Sequence, residues 1–76
     1  MNVNEFLENF AALFDETDAS EIKAETEFKS LDEWSSLMAL TVISMIDDEY
    51  DVAINGNDIR ESNTVEDLFQ VVQSKK

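Results

Sequence analysis

Apolar residues recur at helical spacing in three stretches of the chain. In the first, Phe6, Leu7, Phe10, Leu13 and Phe14 stand at i, i+1, i+4, i+7 and i+8, with Glu5, Glu8 and Asn9 on the opposite face. Asn2, three residues before Glu5, supplies a capping pattern for this helix. In the second, Ala39, Val42, Ile43, Ile46 and Tyr50 share one face of a helix running from about Ser36 to Tyr50. It starts near Ser35 and Ser36, where Asp32, Ser35 and Ser36 each offer a side-chain oxygen to the free N–H groups of the first turn. In the third, Val65, Leu68, Phe69 and Val72 follow the start signal Thr64-Val65-Glu66-Asp67.

The stretches between lack that period. Residues 15–30 are rich in Asp, Glu, Thr and Ser and read as a long acidic loop, with Ile22 and Phe28 as the anchors a loop of that length needs. Residues 51–57 read as a second loop, in which Val52 and Ile54 point inward and Gly56, after Asn55, accepts a positive φ. A short helical turn over 57–61, anchored by Ile59, follows, and Ser74, Lys75 and Lys76 either fray or meet the C-terminus of the last helix. No stretch alternates as a strand would, and there is no internal repeat. The fold class is therefore all-α, a bundle of three longer helices and one short one, with residues 1–76 forming a single domain.

Composition narrows the chemistry. A chain of 76 residues buries only about 60–65% of the surface its unfolded form exposes, so the core is small. There is no Cys and no His, which removes disulfides, the common zinc ligands and serine–histidine or cysteine–histidine catalysis. The chain is not expected to be an enzyme. Eighteen acidic residues against five basic ones give a net charge of −13, which repels nucleic acid and favours basic protein surfaces as partners. With no cationic leader and no apolar run of membrane length, a cytoplasmic monomer without membrane insertion is expected.

One acidic segment invites a calcium reading. Laying the twelve-residue EF-hand spacing on Asp51 puts Asn55 and Gly56 correctly at positions five and six, but leaves Ala53 at three and Ser62 at twelve. Without the bidentate glutamate no dedicated metal site is expected.

The serines at the start of the middle helix have two readings, a cap or a reactive hydroxyl. Their setting bears on the choice. Phe28, Leu31, Trp34-Ser35-Ser36-Leu37 and an apolar helix closing on Asp47-Asp48-Glu49-Tyr50 together resemble the acyl carrier protein family. In that family an Asp-Ser-Leu motif opens the second helix and its serine is esterified by 4'-phosphopantetheine drawn from coenzyme A. The resemblance implies attachment at Ser36, with Ser35 standing where the family has aspartate. It further implies a freestanding acyl or aminoacyl carrier whose cargo lies against Leu40, Val42, Ile43, Ile46, Tyr50, Ile54, Ile59 and Leu68, residues that also read as ordinary core. Partners would be a phosphopantetheinyl transferase and an acyl or aminoacyl ligase, ketosynthase or acyltransferase, meeting Leu37, Met38, Asp47, Asp48 and Glu49 through basic patches. Met38 and Met45 read equally as adaptable contact residues or as core. Met38, Thr41 and Ser44 occupy positions that tend to be acidic in carriers of primary fatty-acid synthesis, which points to a specialised lipid, polyketide or amino-acid-activating pathway. The alternative is a carrier-like acidic interaction module without the prosthetic group.

Overall fold

The structure is a computed structural model describing residues 2–76. Four α-helices, α1 (Val3–Ala11), α2 (Ser36–Tyr50), α3 (Gly56–Glu61) and α4 (Val65–Lys75), and two single 3₁₀ turns, Ala19–Glu21 and Phe28–Ser30, make up its regular structure. Among the described residues there is no strand. The helix α1 packs on α2 and α4, while α3 closes the bundle against the same two helices.

Asn2 caps α1, its side chain accepting from the N–H groups of Asn4 at 2.7 Å and Glu5 at 3.4 Å. The helix ends at Ala11, short of the apolar pattern, and Leu13 and Phe14 follow in tight turns whose N–H groups reach back three residues, to Phe10 and Ala11. Those i→i−3 bonds keep Phe14 facing the core. An aromatic chain then crosses the molecule. Phe69 meets Phe6 at 5.4 Å between ring centroids, Phe6 neighbours Phe10, Phe10 meets Phe28 edge-on at 5.6 Å, and Phe28 meets Trp34 edge-on at 4.9 Å. Trp34 precedes α2, so this chain ties the start of α2 to the far side of the core.

Residues 15–30 are more structured than their composition implies. Ile22 and Phe28 are both buried, as expected of anchors. The Glu33 carboxylate binds the N–H groups of Asp15 at 2.9 Å and Glu16 at 3.0 Å and the hydroxyl of Thr17 at 2.9 Å, cinching the loop's start to its end. Two loop carbonyls, Thr26 and Ala24, accept the N–H groups of Val65 and Glu66 at 3.1 and 2.9 Å, which satisfies donors that the first turn of α4 leaves unpaired.

The expectation for Gly56 is corrected. No glycine has a positive φ; the left-handed position is Asp51, with φ 56° and ψ 41° as the C-cap of α2, while Gly56 is the first residue of α3. A short carboxylate side chain tolerates that conformation better than most, and the Asp51 N–H closes on the Asp47 carbonyl at 3.0 Å. Both α3 and α4 open with reciprocal capping boxes, Asn55 with Asp58 and Thr64 with Asp67. Lys76 meets the C-terminus of a different helix from its own, donating to the Tyr50 carbonyl of α2 at 3.1 Å, and Lys75 pairs with Asp58 at 3.5 Å.

Candidate functional site

Trp34 leads into Ser35, whose extended backbone (φ −156°, ψ 175°) is that of a helix N-cap. The Ser35 hydroxyl oxygen accepts the N–H of Met38 at 3.2 Å, and its carbonyl accepts the N–H of Ala39 at 3.0 Å. Ser36, the first residue inside α2, is exposed, and its hydroxyl enters no hydrogen bond among the described residues. Of the two serines, Ser35 is the one that ties the backbone, and Ser36 presents a free hydroxyl. No acidic residue stands in the first turn of α2, so the partial positive charge of its unpaired N–H groups is not offset there.

From Ser36 one solvent-facing stripe runs along α2. A period of 3.6 residues places Ser36, Leu37, Leu40, Ser44, Asp47 and Asp48 within about 120° of arc, and all six are exposed. Leu37 is 72% and Leu40 64% exposed, so the stripe is apolar beside Ser36 and acidic about 16 Å further along. Glu49 is exposed but roughly 100° beyond Asp48, off the stripe. Met38 is half-buried against the core and Met45 is buried, which settles Met45 as core and removes its contact reading. Thr41 turns its hydroxyl back onto the Leu37 carbonyl at 3.0 Å.

The residues expected to receive cargo separate into three groups. Val42, Ile46, Tyr50, Ile54, Ile59 and Leu68 are buried in the core, Ile43 is half-buried, and Leu40 is exposed, so the core reading of Leu40 is corrected. Tyr50 keeps one polar link, its hydroxyl accepting from the Asn9 side chain at 2.9 Å; burial pushes its ionisation above the usual tyrosine range although that hydrogen bond opposes the change. Beside Ser36 lies an open cleft of about 530 Å³ between the start of α2 and α3. Only Leu40 and Ile59 of the expected cargo residues line it; the rest of its wall is Lys29, Trp34, Ser35, Ser36, Ala39, Gly56 and Arg60. Trp34 entered the sequence reading with the serine motif, but Lys29, Ala39, Gly56 and Arg60 had no place in that reading of the site. Ala39 carried the one available signal, a small residue one helical turn from Ser36.

The calcium reading fails on geometry as well as spacing, because Gly56–Glu61 is helix where an EF-hand loop would still be wrapping its ion. No helix is long and apolar enough to cross a membrane among the described residues.

A family model described as a phosphopantetheine attachment site matches residues 5–72. No curated protein matches the chain. The match begins in α1 and ends in α4, so it takes in the helical bundle, the exposed serine and the cleft beside it. The chain therefore belongs to the phosphopantetheine-binding carrier family, related to acyl carrier proteins, whose domains hold 4'-phosphopantetheine covalently and are themselves non-catalytic.

Proposed function

We propose that Ser36 is the attachment residue and that the chain is an acyl or aminoacyl carrier. The observation that carries this reading is the division of labour at the start of α2: Ser35 caps the helix, leaving the Ser36 hydroxyl exposed and unbonded. In the loading step the Ser36 oxygen loses its proton and forms a bond to the pantetheine-bearing phosphorus of coenzyme A, and adenosine 3',5'-bisphosphate leaves. The chain has no His or Cys near neutrality to take that proton, so a transferase must supply the base. Once attached, the arm's terminal thiol supplies the chemistry by holding an acyl group as a thioester. What this chain contributes is presentation: a hydroxyl at a helix N-terminus that tolerates the phosphodiester's charge, on a small well-packed bundle.

The stripe along α2 favours docking by enzymes that combine an apolar contact for Leu37 and Leu40 with basic residues for Asp47 and Asp48. Such partners are the transferase and an acyl or aminoacyl ligase, ketosynthase or acyltransferase. Non-acidic Met38, Thr41 and Ser44 support service in a specialised lipid, polyketide or amino-acid-activating pathway over primary fatty-acid synthesis.

Co-expression with a broad-specificity phosphopantetheinyl transferase followed by intact-mass measurement tests this. Wild type should gain one phosphopantetheine and Ser36→Ala none. Ser35→Ala should still be modified while losing about 1 kcal/mol of stability with its cap. An unmodified wild type would support the interaction module without a prosthetic group.

A further inference from the structure

Against eighteen acidic residues the chain has five cations, and two of these, Lys29 and Arg60, line the cleft onto which Ser36 faces. Neither is held by a carboxylate: among the described residues the one ion pair is Lys75 with Asp58. Lys29 Nζ instead donates to the backbone carbonyl of Arg60 at 2.8 Å, which joins the Phe28–Ser30 turn to α3 and leaves the ammonium two further donors. Arg60 is exposed, and no acidic side chain lines the cleft. On a molecule of net charge −13 this is a local reversal of sign, and it adjoins the hydroxyl on which a phosphodiester would form.

Building on the assignment of Ser36 as the attachment residue, we infer that Lys29 and Arg60 clamp the phosphodiester carried there. The clamp lays the first part of the arm in the cleft, against Trp34 and Ile59. Charge complementarity identifies the occupant: the phosphodiester is anionic at neutral pH and its bond to Ser36 confines it to this end of α2. Arginine and lysine are the side chains that hold such oxygens best.

The test uses the full ¹⁵N-labelled chain, unmodified and after transferase treatment, with intact mass recorded first to establish one arm per molecule. NMR should then show the Arg60 Nε–H signal and the Lys29 and Arg60 amides shifting on modification while the Lys23 amide stays in place, and the shifts should shrink at high salt. Arg60→Gln should displace the ³¹P signal of the modified chain and Arg60→Lys should restore it in part. These variants keep the Lys29 bond, which ends on a backbone carbonyl, and change only an exposed side chain. Complete modification with shifts confined to the residues flanking Ser36 would overturn the clamp. So would shifts at Arg60 that arise only once a carboxylate-bearing acyl group is loaded, since the site would then serve cargo. A chain that stays unmodified contradicts the attachment assignment itself and removes the clamp with it.

Discussion

Ser35 and Ser36 carry the same side chain, and backbone torsion separates what each can do. An extended Ser35 turns its oxygen toward the Met38 N–H, whereas the first helical residue projects its hydroxyl outward. Glu33, two residues earlier, is the other decisive side chain in this region. Partial burial would raise its ionisation, but the N–H of Asp15, the Thr17 hydroxyl and the N–H of Glu16 together hold its carboxyl below the ordinary value of 4.5. A carboxylate with a depressed folded pKa stabilises the fold above its unfolded value, and that contribution is lost as pH falls through the folded one. Asp67, bound by the N–H groups of Thr64 and Asn63, acts in the same direction below its ordinary 3.8. Urea unfolding between pH ~5 and ~2 should therefore show an acid limb that is shallower in Glu33→Gln than in wild type. Equal slopes would mean that the loop contacts of Glu33 do not persist in solution. The sequence offered both serines as caps and, through the family resemblance, Ser36 as the attachment residue; which of the two caps the helix required the torsions. Glu33 gave no local signal, because its partners lie more than fifteen residues away.

At the scale of elements, apolar spacing located all three longer helices, and the capping signals at Asn2 and Thr64 marked starts that the structure uses. It did not locate the end of α1, because an apolar pattern carried through i→i−3 turns at Leu13 and Phe14 keeps nearly the same face as a helix would. The core side of α2 was also blurred. Its apolar residues cover much of the circumference, so nothing in the spacing separated buried Met45 from exposed Leu40. Order in residues 15–30 comes from bonds to Glu33 and to the start of α4, which local periodicity does not record. Phe28→Ala should cost about 3–5 kcal/mol, because it empties a fully buried site between Phe10 and Trp34. That is a large share of the total stability of a domain this small, so hydrogen exchange at the Val65 and Glu66 amides should accelerate sharply. Asp51→Gly, at the left-handed C-cap, should stabilise the chain by about 0.5 kcal/mol in urea titrations, a small net gain once the extra freedom of the unfolded chain is subtracted.

Across the whole molecule, charge sets the terms on which a small core must hold. Repulsion within a net charge of −13 opposes the folded state, and salt screens it. The Tm should rise on going from ~10 mM to ~150 mM salt, as the Debye length falls from ~30 Å to ~8 Å, and a flat response would show that the acidic surface is already internally compensated. The same distribution divides the surface near Ser36 into an apolar stretch, a cationic cleft and a distant acidic end. Net charge was plain from composition. The cleft was not, because Lys29 and Arg60 are thirty-one residues apart and meet only in the folded chain, where the Phe28–Ser30 turn bonds to α3. The central claim is that a carrier of this family takes its prosthetic group on the second of two adjacent serines. Fragmentation mass spectrometry of the transferase-treated chain tests it most directly by locating the added mass. The added phosphopantetheine should lie on Ser36 in wild type and remain there in Ser35→Ala; its presence on Ser35, or a chain left unmodified in the presence of transferase and coenzyme A, would contradict the assignment.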